Sequence, residues 1–259
     1  MAEESIQSVK RTFLVLESLA GRGSAGVREL HGVVGLSVAT VHRILSTLVD
    51  LGYVRRNPQT ERYELTYKIL VLGHSVTQHS GVIQLAHPLL EQLSAQAGET
   101  VHFAERSGAS IRYIDKVVPS TGVVVMSSYL GMELPLYSTA VGKAIMADLP
   151  ADEVEEIWNR SDRIPYTPNT ISAPEELRRQ LEEVRASGVA YDWEERELGI
   201  SCVAVDILDV TGKPVYAVSI SSSNARMKEN QLRYTALVKE IKAQLTSLIG
   251  YSVAQPGQR

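Results

Sequence analysis

Four carboxylates stand close together in one stretch of this 259-residue chain: Asp192, Glu194, Glu195 and Glu197. Clustered carboxylates can bind a metal ion or perform general acid–base catalysis. Runs of charge are more often solvated loops, however, so we expect the three glutamates to lie at the surface. The single cysteine, Cys202, could be a nucleophile, but no histidine stands near it in the sequence and no known motif surrounds it. We expect a buried cysteine in the wall of a pocket.

Ser138 and Lys143 are spaced differently from the Ser-x-x-Lys pair of acyl-transfer enzymes. The segment between them instead predicts the start of a helix, whose exposed backbone N–H groups suit a carboxylate. The histidines are scattered without the spacing of metal ligands. The sequence therefore predicts an anion-binding helix terminus, with no metal site, no cofactor and no catalytic residues.

A third group of side chains is typical of a helix that enters a DNA groove. After the N-cap candidate Ser37, one side of the stretch carries small, hydrogen-bonding or cationic residues, and no acid appears before Asp50. The other side repeats apolar residues at spacings of three and four from Val41 to Leu48, which predicts a buried face. The predicted DNA contacts of this helix are Ser37, Ala39, Thr40, His42 and Arg43.

A basic hairpin follows this helix directly. Residues 53–56 and 62–65 read as two short strands, joined by the Asn57-Pro58-Gln59-Thr60 turn. Arg55, Arg56 and Arg62 lie on or beside the hairpin and could reach phosphates or the minor groove. Helix–hairpin units also occur in proteins that do not bind DNA, but the basic wing and the acid-free helix face favour DNA binding.

The predicted DNA-binding residues and the predicted anion-binding helix terminus lie in separate parts of the chain, which indicates two domains. The chain length also suggests two domains. Residues 1–65 predict a winged helix-turn-helix, 66–80 an apolar linker helix with a bend at Ser80-Gly81, and 81–259 an α+β domain with a mostly antiparallel sheet. Residues 1–68 hold nine Lys/Arg and seven Asp/Glu (+2), against 17 and 23 in the remainder (−6). Since the N-terminus resembles no signal peptide and no apolar run reaches membrane-spanning length, we expect a cytoplasmic protein without a membrane partner.

Hydrophobic periodicity locates the remaining elements. Helices are predicted at residues 5–20, 27–33, 82–97, 140–148, 152–158, 175–187 and 229–249, and strands at 101–104, 111–114, 123–126, 202–208 and 215–220. No Rossmann or phosphate-loop glycine pattern is present.

Three phrases in the chain resemble those of the IclR-type transcriptional regulators. They are LSVATVHRILSTLVDLGYVRRNPQTERYEL in the first domain, and GMELPLYSTAVGKAIMA and GVAYDWEERELGISCVAVDILD in the second. The resemblance implies a winged-helix head, a linker helix and an effector-binding domain of GAF-like fold. It also implies dimers or dimers of dimers (homotetramers) on a palindromic operator in double-stranded DNA. Asp206 departs from the family phrase, where we expect proline.

The resemblance also implies an effector pocket with an apolar wall and a few polar groups. Its expected residues are Val123, Met126, Leu134, Ala140, Asp192, Ile200, Cys202, Ser219 and Ser221. Ser219 and Ser221 alternate along a predicted strand, so both hydroxyls face one side. With N–H groups near Ala140 they could hold a carboxylate, while Asp192 accepts a hydrogen bond from a hydroxyl of the ligand.

The leading hypothesis is a repressor of a carbon-catabolism operon that is controlled by a small organic acid. PLYSTAVGKAIMA, ETVHFAE and LIGY are most similar to the branch that responds to 2-keto-3-deoxygluconate, whereas other branches respond to glyoxylate, pyruvate or aromatic acids. The alternatives are a regulator that responds to an aromatic acid, an enzyme that processes small acids on a winged-helix scaffold, and a winged helix that contacts other proteins.

Overall fold

The computed structural model describes residues 6–79, 81–120, 126–209 and 211–253. The chain divides into two compact units, of which the first ends at Ser80 and the second begins at Gly81. The predicted bend at Ser80 and most of the predicted strand at 123–126 lie outside the described residues. Within the described residues, no single helix is long and apolar enough to cross a membrane.

The first unit is a winged helix-turn-helix, as predicted. Its elements are α1 (Gln7–Arg22), α2 (Val27–Val34), α3 (Val38–Asp50), β1 (Val54–Arg56), β2 (Tyr63–Leu65) and the linker helix α4 (Lys68–His79). Val15, Leu30 and Leu45 are fully buried where α1, α2 and α3 pack together. The two wing strands pair antiparallel, with Val54 opposite Leu65.

A tight turn between α2 and α3 sets the direction of the second helix. Gly35 has a φ of 65°, and its N–H donates to the His31 carbonyl at 3.2 Å. Glycine adopts this left-handed conformation without the penalty of a side chain, so α2 ends here. Two residues later Ser37 caps α3, which begins at Val38 as the sequence predicts.

The second unit is built on a six-stranded antiparallel sheet, which confirms the predicted α+β class. Its strands are β3 (Thr100–Ser107), β4 (Ser110–Val117), β5 (Glu133–Pro135), β6 (Ala190–Trp193), β7 (Ile200–Leu208) and β8 (Pro214–Ser223), in the order β5-β4-β3-β8-β7-β6. Both outer strands, β5 and β6, were missed from the sequence. They are three and four residues long and lack a run of alternating apolar residues.

Helices pack on both faces of this sheet. They are α5 (Gly81–Ala97), α6 (Ala140–Ala147), α7 (Ala151–Arg160), α8 (Pro174–Ser187), α9 (Asn224–Glu229) and α10 (Gln231–Val253), with a 3-10 turn at Leu136–Ser138. Alternate strand residues point to opposite faces. Phe103, Val203 and Val218 therefore pack with α5 and α10, while the small residues Ala204 and Ala217 face α6.

Candidate functional site

The outward face of α3 is exposed, and its first turn is organised by two hydroxyls. The Thr40 N–H donates to Ser37 Oγ at 3.2 Å, and the two hydroxyl oxygens lie 2.8 Å apart. Ala39, His42 and Arg43 are exposed beyond this cap, whereas Val41 is buried on the opposite side. The five predicted residues of this helix thus lie in its first two turns and leave a cationic, acid-free surface.

The wing arginines fall into two groups. Arg55 pairs with Glu64 at 3.1 Å and Arg56 with Glu61 at 2.7 Å, in ion pairs that are largely exposed. Such pairs contribute little and exchange readily for phosphate contacts. Both arginines therefore remain suited to contacting a DNA backbone.

Arg62, for which the sequence predicts a DNA contact, is engaged by polar groups of its own unit. Its guanidinium donates to both carboxylate oxygens of Glu29, at 2.9 and 2.8 Å, and to the hydroxyl and carbonyl of Ser24. Glu29 also accepts the Gly26 N–H at the start of α2. Arg62 thus ties the wing to α2, because a planar guanidinium matches a carboxylate with two parallel hydrogen bonds.

The second candidate site is a pocket whose floor is the α6-facing side of the sheet. One or two residues from each of five neighbouring strands form this floor: Tyr113, His102, Ser219, Ser221, Cys202 and Asp192. The register places His102 opposite Ser219, Cys202 opposite Ser221 and Asp192 opposite Cys202. Two neighbouring rows across the sheet thus bring together residues that are far apart in the chain.

The N-terminus of α6 forms one wall of the pocket. Thr139 caps this helix by accepting the Gly142 N–H at 3.0 Å, and Thr139, Ala140 and Val141 line the cavity. The first N–H groups of a helix have no acceptor within it, so those of Ala140 and Val141 are suited to an anion. A Cβ on Gly142 would lie 2.1 Å from the Leu136 carbonyl oxygen, which shows how closely α6 approaches the 3-10 turn.

The cavity collects the predicted effector residues that the structure describes. Its enclosed volume is about 50 Å³, within a space of about 540 Å³ that includes the open mouth. The predicted residues that line it are Met126, Leu134, Ala140, Asp192, Ile200, Cys202, Ser219 and Ser221. Val123, the ninth predicted residue, lies outside the described residues.

A chain of hydrogen bonds crosses the pocket floor. The Cys202 thiol donates to Ser221 Oγ at 3.1 Å, Ser221 Oγ lies 3.2 Å from His102 Nδ1, and His102 Nε2 lies 2.8 Å from Ser128 Oγ. Burial, followed by the nearby Lys116 charge, lowers the pKa of His102 to about 3, so its ring is neutral. Burial raises the pKa of the Cys202 thiol, which makes it a poor nucleophile.

The expectation that all three glutamates of the acidic run are solvated is wrong for Glu195. This residue is 3% exposed and pairs with the buried ammonium of Lys143, which also donates to Gln180 Oε1 at 2.6 Å. The Glu195 N–H donates to Asp192 Oδ1 at 2.7 Å. A lysine 52 positions away in the chain compensates the buried charge. Spacing within the acidic run cannot reveal that partner.

The same cluster determines the acidity of Asp192. Burial is the largest cause that raises its pKa to about 7, and the neighbouring Glu195 carboxylate adds to the rise, while Lys143 opposes it. Asp192 therefore takes up or loses a proton near neutral pH. Among the described residues, no group of three or more His, Cys, Asp or Glu side chains is arranged to hold a metal ion.

Sequence reasoning missed several lining residues, including His102, Tyr113, Ser128, Met132, Thr139 and Arg196. His102 had a usable signal, because it alternates with Val101 and Phe103 and so must face away from their core. Ser128 and Arg196 lie in connecting segments without periodicity. No sequence pattern places such residues over a pocket.

Two family models together match most of the chain. The IclR helix-turn-helix domain matches residues 8–58, and the C-terminal domain of bacterial IclR transcriptional regulators matches residues 74–247. The chain is 34% identical over 251 residues to the DNA-binding transcriptional repressor YiaJ of Escherichia coli K12, covering 95% of this chain and 89% of YiaJ. It is 35% identical over 249 residues to the regulator KdgR of Dickeya chrysanthemi, covering 96% of this chain and 81% of KdgR.

A solved structure shows the same architecture. The IclR protein of Thermotoga maritima superposes with a TM-score of 0.79 at 36% sequence identity, covering 95% of this chain and 100% of that protein. Both domains, the exposed face of α3 and the predicted family phrases therefore agree with one assignment. The chain belongs to the IclR family of DNA-binding transcriptional regulators.

Proposed function

We propose that this regulator represses a carbon-catabolism operon and that a small organic acid bound in the second unit controls its DNA binding. The observation that carries the proposal is the cavity, in which hydroxyls and a helix N-terminus converge within partly apolar walls. The relative YiaJ, which is named a repressor, supports the direction of regulation. A regulator of this kind acts in the cytoplasm.

The pocket chemistry favours a 2-oxo acid or a sugar acid. The Ser219 and Ser221 hydroxyls lie on the floor, and the N–H groups of Ala140 and Val141 lie at the wall. These donors suit a carboxylate, since the positive end of the helix dipole adds to their hydrogen bonds. When ionised, Asp192 accepts a hydrogen bond from a hydroxyl or hydrated carbonyl of the effector.

The DNA partner is a palindromic operator, read by a dimer or a dimer of dimers. Two copies of α3 related by a two-fold axis read two half-sites, and Arg55 and Arg56 contact the flanking phosphates. A second copy of the chain accounts for the apolar surface at the start of the linker helix. Tyr67, directly before α4, is 88% exposed, and Leu70, Val71 and Leu72 within α4 are 63%, 66% and 56% exposed.

Operator binding measured against a panel of acids tests this function. Glyoxylate, pyruvate, 2-keto-3-deoxygluconate, D-gluconate and 4-hydroxybenzoate are added to full-length protein on DNA containing the operator. At least one acid should change operator affinity about 5- to 150-fold, the usual range of coupling. If none does, the proposed control by a small organic acid is wrong.

The double variant Ser219→Ala and Ser221→Ala should lose the response to that acid while keeping its acid-free operator affinity, because both hydroxyls line the cavity and neither lies in the DNA-binding unit. Ser222→Ala is the matched control. It lies between them on β8, and its buried hydroxyl has no hydrogen-bond partner among the described residues. A full response in the double variant would show that the effector binds elsewhere.

A further inference from the structure

Arg196 is the cationic side chain of the pocket lining, and sequence reasoning assigned it no role. It lies in the segment between β6 and β7 and lines the cavity together with Asp192 and Ile200. Its guanidinium carbon lies 4.0 Å from the centroid of the Tyr166 ring. Contact with the face of an aromatic ring stabilises a guanidinium and restricts its orientation.

The Nε–H group of this guanidinium lacks a protein acceptor in the part of the chain that the structure describes. Arg196 Nε is buried and has no hydrogen-bond partner among the residues that the structure describes. A buried donor without a partner is costly, and the cost is greater for a charged group. An acceptor supplied from outside the protein would remove that cost.

The nearby carboxylates are engaged with other groups. Asp192 Oδ1 accepts the Glu195 N–H at 2.7 Å, and Glu197 Oε2 accepts the Ser127 hydroxyl at 2.8 Å. Of the nearby lysines, Lys143 is paired with Glu195, and Lys116 donates to the Ser128 carbonyl at 2.6 Å. Within the described part of the chain, no carboxylate forms an ion pair with Arg196.

We propose that Arg196 pairs with the carboxylate of the effector and thereby selects acids against uncharged molecules of the same shape. This inference rests on the proposed function. It adds a positively charged donor to the uncharged serine and backbone donors of the pocket. A carboxylate has acceptor sites on both oxygens. It can therefore accept from the serine hydroxyls and α6 N–H groups while Arg196 donates from its Nε–H group.

The test compares each acid of the panel with its primary amide, which keeps the shape and removes the charge. Kd values are measured by calorimetry on the full-length protein. The acid that binds wild type should bind Arg196→Gln about 10- to 100-fold more weakly, as expected for a lost charge-assisted pair. The amide should bind both proteins with similar affinity. The acid affinity of Arg196→Lys should lie between those of wild type and Arg196→Gln, because lysine keeps the charge but loses the planar fork.

Arg163→Gln is the matched control. Arg163 also lies over an aromatic ring, that of Trp158 at 5.9 Å, but does not line this cavity. The Arg163→Gln protein should bind the acid with the same affinity as wild type. Equal acid affinities for wild type and Arg196→Gln would overturn the inference and leave the proposed function standing. If no acid binds wild type, the proposed function fails and the inference fails with it.

A measurement on the wild-type protein covers the case in which Arg196→Gln does not fold. The arginine Nε–H resonances are recorded in protein labelled with ¹⁵N-arginine, before and after addition of the binding acid. A new hydrogen bond should shift one Nε–H signal strongly and slow its exchange with water, whereas the amide should leave it unchanged. Arginine signals that all stay in place with the acid bound would contradict the proposed pairing.

Discussion

Burial fixes the protonation of the side chains on the pocket floor. It lowers the pKa of His102 to about 3 and raises that of Asp192 to about 7. Near pH 7 the histidine is therefore neutral, while the aspartate exchanges a proton. A neutral imidazole offers one donor and one acceptor, which agrees with its position between the Ser221 and Ser128 hydroxyls.

Replacing Asp192 should change how stability depends on pH. Its folded pKa of about 7 lies above the ordinary value of 3.8, so the folded state binds the proton more tightly. The resulting stabilisation is complete below about pH 4 and is lost as the pH rises through 7. Between pH 5 and 8, wild type should lose more stability than Asp192→Asn, by at most about 1.4 kcal/mol per pH unit.

Chemical denaturation at pH 5, 6, 7 and 8 measures this difference. The control is Asp162→Asn, which makes the same change of side chain at an exposed position of the same unit. If the unfolding free energies of wild type and Asp192→Asn changed in parallel with pH, the folded and unfolded states would bind the Asp192 proton equally well.

At the scale of single elements, the wing depends on a contact with α2. Arg62 and Glu29 are 33 positions apart and form two nearly equal hydrogen bonds. The hairpin has two strands of three residues, and such a short hairpin is marginal by itself. The tie to α2 therefore holds the arginines of β1 in position.

The arginines of the wing should separate in a salt titration of operator binding. Arg55→Gln with Arg56→Gln should reduce the salt slope by about two units, because each lost phosphate contact releases about one counterion fewer. Arg62→Gln and Glu29→Gln should each weaken operator binding to the same extent without changing the salt slope. The double variant should bind the operator about as weakly as either single variant. A lower slope for Arg62→Gln alone would mean that Arg62 contacts phosphate directly.

The position of α6 depends on a glycine at its first turn. Since a Cβ at position 142 would lie 2.1 Å from Leu136 O and 2.5 Å from Leu136 Cα, the helix or the 3-10 turn would have to move. Gly142→Ala should therefore lower stability by about 1–3 kcal/mol, as overpacking does, and weaken acid binding through the displaced N–H groups. Denaturation and calorimetry measure both effects.

Gly32→Ala is the matched control, since a Cβ there meets nothing within 4 Å. Gly32 lies inside α2, where alanine should leave stability unchanged or raise it by about 0.5–1 kcal/mol. If Gly142→Ala were equally harmless, the close approach of α6 would not matter for the pocket.

At the scale of the whole molecule, DNA binding and effector binding must be linked in both directions. The linker helix α4 joins the two units in the chain, so we expect the effector to act through it. Whatever factor the acid applies to operator affinity, the operator must apply to acid affinity. Calorimetry of the acid with and without operator duplex should give that same factor, and a scrambled duplex should give none. Unequal factors would point to a change in oligomeric state.

The sequence by itself determined the elements with strong local signals. The periodic apolar face of α3 and the Ser37 cap identify this helix, because helix propensity and capping act within a few residues. The long strand β7 was recognised from its apolar run, although its predicted start is two residues later than the observed one. The predicted pocket residues that line the cavity came from the family resemblance.

Only the tertiary structure decided which side chains meet across the chain. Lys143 compensates Glu195, Arg62 holds Glu29, and Arg196 lies on Tyr166. Each pair joins residues at least 30 positions apart. Their contacts depend on sheet register and helix packing, whereas periodicity reports the nearest turns of the chain. Burial has the same origin, so the neutral state of His102 and the raised pKa of Asp192 could not be read from residue types.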